Sequence, residues 1–274
     1  MSRKLHWVLR IASAMCFIGH GAFGIITKKV WLNYFAVFGI GPDLGWQLMP
    51  LVGTFDILCG ISLLLYPTRA VLSWLVIWGT TTALLRPLSG EFVAEFFERA
   101  GNFGAPLALL VIHGFDRRAL FKRLRSRDIA FDEATIKRLT LCLHLVTATL
   151  LAGHGVLALD EKKGLLGQYA SLGFANPQQI AHIIGSFEIA AAVGLLVVPA
   201  RMRAIVIGLF VWKMASELLY PQWAIVEWIE RGGSYGTLLA LWMVLPAVRA
   251  PITTSETVPS VPDAGVSHSM RCAM

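Results

Sequence analysis

The stretch Phe17-Ile18-Gly19-His20-Gly21 decides how this sequence is organised, because its Gly-His-Gly core returns as Gly153-His154-Gly155. After each copy, the same polar and turn residues follow in the same order, at offsets of 134 or 132 residues. The matched positions are Lys28-Lys29 with Lys162-Lys163, Asp56 with Glu188, Trp78 with Trp212, Arg86-Pro87 with Tyr220-Pro221, and Glu98-Arg99 with Glu230-Arg231. So many matches in one order indicate a tandem duplication of a unit of about 130 residues.

The composition places the chain among membrane proteins. Of its 274 residues, 56% are hydrophobic and only 15% are charged, and the mean hydropathy is +0.64. Soluble domains carry about 25% charged residues. A soluble helical protein with a large core is the alternative, but apolar runs near 20 residues recur, which is the length that crosses a bilayer. The sequence therefore predicts the lipid bilayer as the chain's environment.

We predict an all-α polytopic membrane protein of eight transmembrane helices, arranged as two parallel-repeat four-helix bundles. Residues 1–115 form the first unit, 116–137 a basic cytoplasmic hinge, 138–250 the second unit and 251–274 a disordered tail. The spans fall near 7–26, 46–66, 70–85 and 102–115, and again near 138–157, 179–198, 202–219 and 234–248. Because each unit has an even number of spans, both units run in the same direction.

The basic residues predict the orientation of these spans. One side of the predicted topology receives 16 Lys and Arg residues, including the hinge, and the other side receives 7, with Lys213 inside a span. Basic loops stay in the cytoplasm. We therefore expect a multi-pass protein of the cytoplasmic membrane with both termini cytoplasmic. This distribution also accounts for the net charge of +7, so the charge does not indicate a nucleic-acid partner.

One amphipathic segment in each unit is predicted to lie at the membrane surface. In residues 89–99, phenylalanines alternate with glutamates, and Ser89 is positioned to cap a helix. Residues 221–231 repeat the pattern, with Trp223 and Trp228 as anchors. The predicted interface residues are Glu98, Arg99, Glu230 and Arg231.

Two carboxylates are predicted near the middle of the membrane. Asp56 lies about ten residues into the second span, roughly 15 Å deep, and Glu188 occupies the matching place in the second unit. A glycine three residues earlier, Gly53 or Gly185, allows another helix to approach closely. His20 is the natural partner for Asp56, as is His154 for Glu188.

The second unit adds Lys213 and Glu217, which are spaced to pair with each other on one helix. The candidate ligand-binding residues are His20, Asp56, Arg86, His154, Glu188, Lys213 and Glu217. They are interpreted either as buried pairs that fix helix register or as a polar pocket open to the outer leaflet. No metal site is predicted, because the sequence has no Glu-x-x-His or His-x-x-x-His pair. His113, His144, His182 and His268 are expected to have no special role.

Each unit resembles the DoxX-like family of four-helix membrane proteins. The resemblance is carried by residues 17–21, 34–40 and 52–56 in the first unit, and by residues 153–155, 169–174 and 184–188 in the second. The glutamate usual on the second helix of the family is Asp56 in the first unit and Glu188 in the second. The family usually has one such unit, whereas this chain has two.

The resemblance implies a membrane subunit of a quinone-linked redox system, or a partner in redox-stress complexes. No cofactor is assigned, and a quinone is the ligand that the resemblance implies. A soluble oxidoreductase could bind at the basic hinge. The alternative is transport of a small solute or lipid through the interface between the two bundles, and a third hypothesis is a scaffold that anchors soluble partners through the hinge. Catalytic residues stay unassigned.

Overall fold

The computed structural model describes residues 1–197, 202–218 and 224–245, and these ranges are helical apart from turns and loops. The helices of the first unit are α1 Ser2–Ile25, α2 Trp31–Ala36, α3 Pro42–Leu65, α4 Arg69–Leu88, α5 Ala94–Glu98 and α6 Ala100–His113. Those of the second unit are α7 Glu133–Leu159, α8 Lys163–Ser171, α9 Pro177–Val197, α10 Arg203–Glu217, α11 Ala224–Glu230 and α12 Gly232–Val244. The predicted disordered tail, 251–274, lies outside the described residues.

Among the described residues, five helices are long and apolar enough to cross a bilayer, namely α1, α3, α4, α7 and α9. Their outer surfaces are apolar as well. On α3, for example, Leu51, Leu58 and Leu65 recur every seven residues and are each more than half exposed. Such a surface indicates a bilayer environment, because lipid removes the cost of exposing it to water. Helix α6 is apolar but has only 14 residues, so the eight predicted spans stay a prediction.

Local sequence signals explain several helix boundaries. Pro42 is at the start of α3, where its missing N–H costs nothing, and Asp43 follows in the first turn. Thr68 caps α4 by accepting a hydrogen bond from the backbone N–H of Val71. Asp132 caps α7 in the same way, accepting from the backbone N–H of Thr135 at 2.7 Å. Helix α7 therefore begins at Glu133, inside the predicted hinge.

Ser89 does not cap a following helix, contrary to the sequence prediction. It is the residue at which α4 ends, and its hydroxyl donates to the carbonyl oxygen of Arg86. The next helix, α5, begins only at Ala94.

Glycines bring the first two long helices of each unit into backbone contact. A Cβ added to Gly21 on α1 would lie 2.4 Å from the carbonyl oxygen of Gly53 on α3. In the second unit, a Cβ added to Gly155 on α7 would lie 2.7 Å from the carbonyl oxygen of Gly185 on α9. The predicted close approach at Gly53 and Gly185 is therefore confirmed, and it places α1 against α3 and α7 against α9.

The two units share one hydrophobic core. Helix α12 of the second unit packs on α1 of the first, where Gly232 and Gly236 lie against Ala12. Helix α6 of the first unit likewise packs on α7 of the second, where Gly104 lies against Val146. The buried core cluster runs continuously from α1 to α12.

The basic hinge is folded onto the turn between α3 and α4. The backbone N–H of Leu124 donates to the carbonyl oxygen of Pro67 at 2.8 Å, and the backbone N–H of Ala70 donates to the carbonyl oxygen of Leu120 at 3.0 Å. Leu124 is buried. The hinge is thus part of the fold and not an extended linker.

Candidate functional site

In the first unit, a buried carboxylate holds a histidine and a tryptophan from two other helices. Asp56 of α3 is fully buried. Its Oδ2 lies 2.7 Å from Nδ1 of His20 on α1, and its Oδ1 accepts a hydrogen bond of 2.8 Å from the indole N–H of Trp78 on α4. The predicted pairing of His20 with Asp56 is confirmed. Because Asp56 engages Nδ1, Nε2 is the ring nitrogen left to meet a ligand.

His20 lines a mostly apolar cavity of about 120 Å³. An apolar cavity of about 150 Å³ holds benzene, so this somewhat smaller cavity is of the order of one small ring. The indole of Trp31 stacks on the imidazole of His20 with ring centroids 4.7 Å apart. The other cavity-lining side chains include Phe23, Tyr34, Phe35, Phe38, Val52, Trp78, Thr82 and Leu85. The cavity therefore suits a small planar group with a polar atom directed at His20.

Arg86 lines the same cavity and is held by two carboxylates. Its Nη1 lies 2.8 Å from Glu91 and 3.2 Å from Glu95. Tyr34 donates its hydroxyl to Glu91 at 2.5 Å. Burial opposes ionisation of Glu91, but the charge of Arg86 and the hydrogen bond from Tyr34 outweigh it and lower the pKa of Glu91. Burial raises the pKa of Tyr34, which stays a donor.

The matching site in the second unit is closed by an added lysine. Nδ1 of His154 on α7 contacts Oε2 of Glu188 on α9, so this predicted pairing is also confirmed. Nζ of Lys213 lies 2.9 Å from the other oxygen of Glu188. His154, Glu188 and Lys213 are each less than 5% exposed. Lys213 thus contacts Glu188 in the way that Trp78 contacts Asp56 in the first unit.

The predicted pairing of Lys213 with Glu217 is wrong, because the ammonium group reaches across to Glu188. Glu217 is buried, and its Oε2 has no hydrogen-bond partner within the part of the chain that the structure describes. The neighbouring positions 219–223, which include Tyr220, lie outside it.

The four predicted interface residues form buried ion pairs between the two units. Arg99 lies 3.2 Å from Glu230, and Arg231 lies 2.6 Å from Glu98. All four residues are at most 9% exposed. These residues are therefore buried inside the protein and not exposed on its surface, and their depth in a bilayer stays a prediction. In α5 the glutamates face inward, and the exposed side is apolar.

The contacts between the units are reciprocal. Lys28 of the first unit pairs with Glu227 of the second at 2.9 Å, and Lys162 of the second pairs with Glu95 of the first at 2.8 Å. The backbone of Glu230 lies against Gly19, as the backbone of Glu98 lies against Gly153. Each Gly-His-Gly motif thus packs against the buried glutamate of the other unit.

These pairs have a large electrostatic effect on their carboxylates. Burial alone would raise the pKa of Glu230, but the charges of Arg99 and Arg231 outweigh it and lower the pKa to about 2. Burial also opposes ionisation of Glu98, and Arg231 and Lys162 hold its pKa well below the ordinary value. Both carboxylates are therefore ionised at neutral pH. Glu230 also lines the cavity beside His20, so the network borders the site.

A histidine pair at the other end of α1 was missed by the sequence reasoning. Nδ1 of His6 lies 2.9 Å from Nε2 of His113, and Arg10 lies one turn further along α1. The spacing of His6 and Arg10 was the available signal, but His113 is 107 residues away and only folding brings it close.

Within residues 1–197, 202–218 and 224–245, no cluster of three or more His, Cys, Asp or Glu side chains could hold a metal ion. Comparisons of the chain with protein-family models, with curated proteins and with solved structures find no match. Function must therefore be inferred from the site itself.

Proposed function

We propose that the cavity beside His20 binds the head group of a quinone or a similar planar lipophile, and that the protein is a membrane subunit of a quinone-linked redox system. The observation that carries the proposal is a histidine fixed by a buried carboxylate at the wall of an aromatic cavity. A quinone offers a flat ring for stacking beside Trp31 and carbonyl oxygens that accept hydrogen bonds. Nε2 of His20 and the guanidinium of Arg86 are among the donors at the cavity wall.

The proposal includes the arrangement predicted from the duplication. It assigns eight spans in two DoxX-like units of the cytoplasmic membrane, with both termini cytoplasmic and a soluble oxidoreductase as partner at the hinge. The reciprocal contacts between the units support the duplication. The first unit is the ligand-binding half, because Lys213 neutralises the matching carboxylate in the second.

Transport of a small solute through the interface between the units has less structural support than quinone binding. Gly101 and Gly233 are in backbone contact there, where an added Cβ on Gly233 would lie 2.3 Å from the carbonyl oxygen of Gly101. The buried ion pairs occupy the neighbouring space. The described part of this interface is therefore packed.

Titration of the purified full-length protein in detergent with the short-chain ubiquinone-1 tests the proposal. Trp31 and Trp78 line the cavity, so bound quinone should quench tryptophan fluorescence saturably. His20→Gln removes the ring nitrogen that faces the ligand and should weaken binding by about tenfold or more. Val52→Phe fills the cavity and should abolish saturable quenching.

His154→Gln is the matched control, because it makes the same chemical change in the closed unit. Its affinity for ubiquinone-1 should stay within about twofold of the native protein, which is less than 0.5 kcal/mol. Melting temperatures establish that each variant is folded. Equal affinity in all the variants, or no saturable quenching by the native protein, would refute the proposal.

A further inference from the structure

A basic cleft lies at the end of the molecule opposite the His20 cavity. It has a volume of about 380 Å³ and lies between the N-terminal half of α1 and the folded hinge. The residues that line it are His6, Trp7, Arg10, Arg123, Leu124, Arg125, Ser126 and Arg127. Ten to fourteen helical residues separate Arg10 and His6 from His20, which is about 15 to 21 Å along α1. The cleft is therefore distinct from the quinone site.

The inner wall of the cleft is rigidly held. Arg10 is only 5% exposed, and it donates to the carbonyl oxygens of Leu63 and Leu64 at 2.6 Å each. These carbonyls are at the C-terminal end of α3, where helical hydrogen-bond partners are missing. Its Nη1 lies 3.4 Å from Nε2 of His6. Arg10 is thus fixed beneath the cleft by bonds that leave its charge uncompensated.

The outer wall is the hinge, which is held equally firmly. Arg123 donates to the carbonyl oxygen of Leu65 at 2.9 Å, and the backbone of Leu124 is bonded to Pro67. Arg125 and Arg127 project from this wall and are exposed. Three hinge arginines therefore line the same cleft as Arg10.

Negative charge in the surroundings is scarce. Among the described residues, the carboxylate within ion-pair distance of the cleft arginines is Asp128, 3.9 Å from Arg127 and exposed to solvent. Within the described ranges, Arg10, Arg123 and Arg125 therefore have no carboxylate within ion-pair distance. Arginine matches phosphate oxygens in geometry as well as charge, because its planar group presents several N–H donors in one plane.

We propose that this cleft binds a phosphate group, supplied by the head group of an anionic phospholipid. Trp7 lines the cleft and is 40% exposed, and Phe121 of the hinge is 78% exposed. Exposed aromatic side chains next to arginines are typical of the level where lipid head groups meet water. The hinge therefore rests on the membrane surface and closes over a lipid phosphate.

The test uses the full-length protein in a neutral detergent, with phosphatidylglycerol, phosphatidylcholine or inorganic phosphate added in separate arms. Phosphatidylglycerol should bind saturably and raise the melting temperature, and binding should weaken as salt is raised. Arg125→Gln/Arg127→Gln removes two exposed charges from the cleft and should weaken phosphatidylglycerol binding by about tenfold or more. Both arginines are exposed, so the variant should fold.

Arg117→Gln/Arg118→Gln is the matched control, because it removes two exposed charges from the same hinge but outside the cleft. Its affinity should stay within about twofold of the native protein. Stabilisation by inorganic phosphate as strong as by phosphatidylglycerol would identify free phosphate as the source of the bound group and overturn the lipid assignment. Equal losses of phosphatidylglycerol affinity in the two double variants, or no binding of either phosphatidylglycerol or inorganic phosphate, would overturn the proposed site.

Discussion

Neutralising Glu230 with the isosteric change Glu230→Gln should destabilise the protein by about 3 kcal/mol. Glu230 is 4% exposed and its partner Arg99 is 7% exposed, so the change leaves a guanidinium group buried without its counter-charge. Removing one member of a buried pair costs about 3–5 kcal/mol. The lowered pKa of Glu230 points the same way, because the folded protein stabilises its ionised form.

The measurement is the free energy of unfolding in mixed micelles, followed by circular dichroism. Glu133→Gln is the matched control, because Glu133 also forms an ion pair, 2.6 Å from Lys137, but both side chains are mostly exposed. An exposed pair of this spacing contributes about 0.3–0.5 kcal/mol. If the two glutamine variants lose the same stability, burial does not set the strength of these pairs and the reasoning fails.

A double variant separates the pair from other effects of the substitution. Arg99→Gln alone leaves Glu230 buried and ionised, so it should also be strongly destabilising. In Glu230→Gln/Arg99→Gln neither charge remains, and the loss should be smaller than the sum of the two single losses. Simple additivity would show that the two side chains do not interact.

Three further predictions concern packing, pH and the buried carboxylate. Gly19→Ala would place a Cβ 2.3 Å from the backbone of Glu230 and should lower the melting temperature, whereas Gly208→Ala has nothing within 4 Å and should be neutral or stabilising by up to about 1 kcal/mol. Because the pKa of Glu230 is lower in the folded state, its stabilisation is complete above pH 4.5 and is lost as the pH falls towards about 2; melting curves should show this loss in the native protein and less of it in Glu230→Gln. Trp78→Phe leaves one oxygen of Asp56 without its donor and should cost about 1–3 kcal/mol in the free energy of unfolding, and an unchanged value would show that the indole bond is not needed.

The helical fold and the two His–acid pairs could be read from local sequence. Long apolar runs with few charges have one stable form in a bilayer, because every backbone group must be bonded within the segment. His20 and Asp56 were identifiable as partners because ionisable side chains in such runs need one. Gly53 and Gly185 indicated where the helices approach, since a position without a side chain allows backbone contact.

The partners of the remaining charges could not be read in this way. Lys213 and Glu217 have the spacing of a helical pair, yet Lys213 pairs with Glu188 on a different helix. Sequence spacing describes only neighbours on one helix, while a long flexible lysine reaches whatever carboxylate the packing brings near. For the same reason, sequence spacing could not identify His113 as the partner of His6, which is 107 residues away.

The sequence by itself predicted an all-helical chain with long apolar segments, and the repeated Gly-His-Gly stretch indicated a histidine paired with an acid in each copy. Only the tertiary structure decided how the copies meet. Their amphipathic segments turn the glutamates inward, and each unit supplies the counter-charge for the other across 131 to 133 residues of chain. Tertiary packing also left the cavity beside His20 while Lys213 took up Glu188. The physical reason is that a buried charge is strongly destabilising unless an opposite charge lies beside it, and that partner need not be near in sequence.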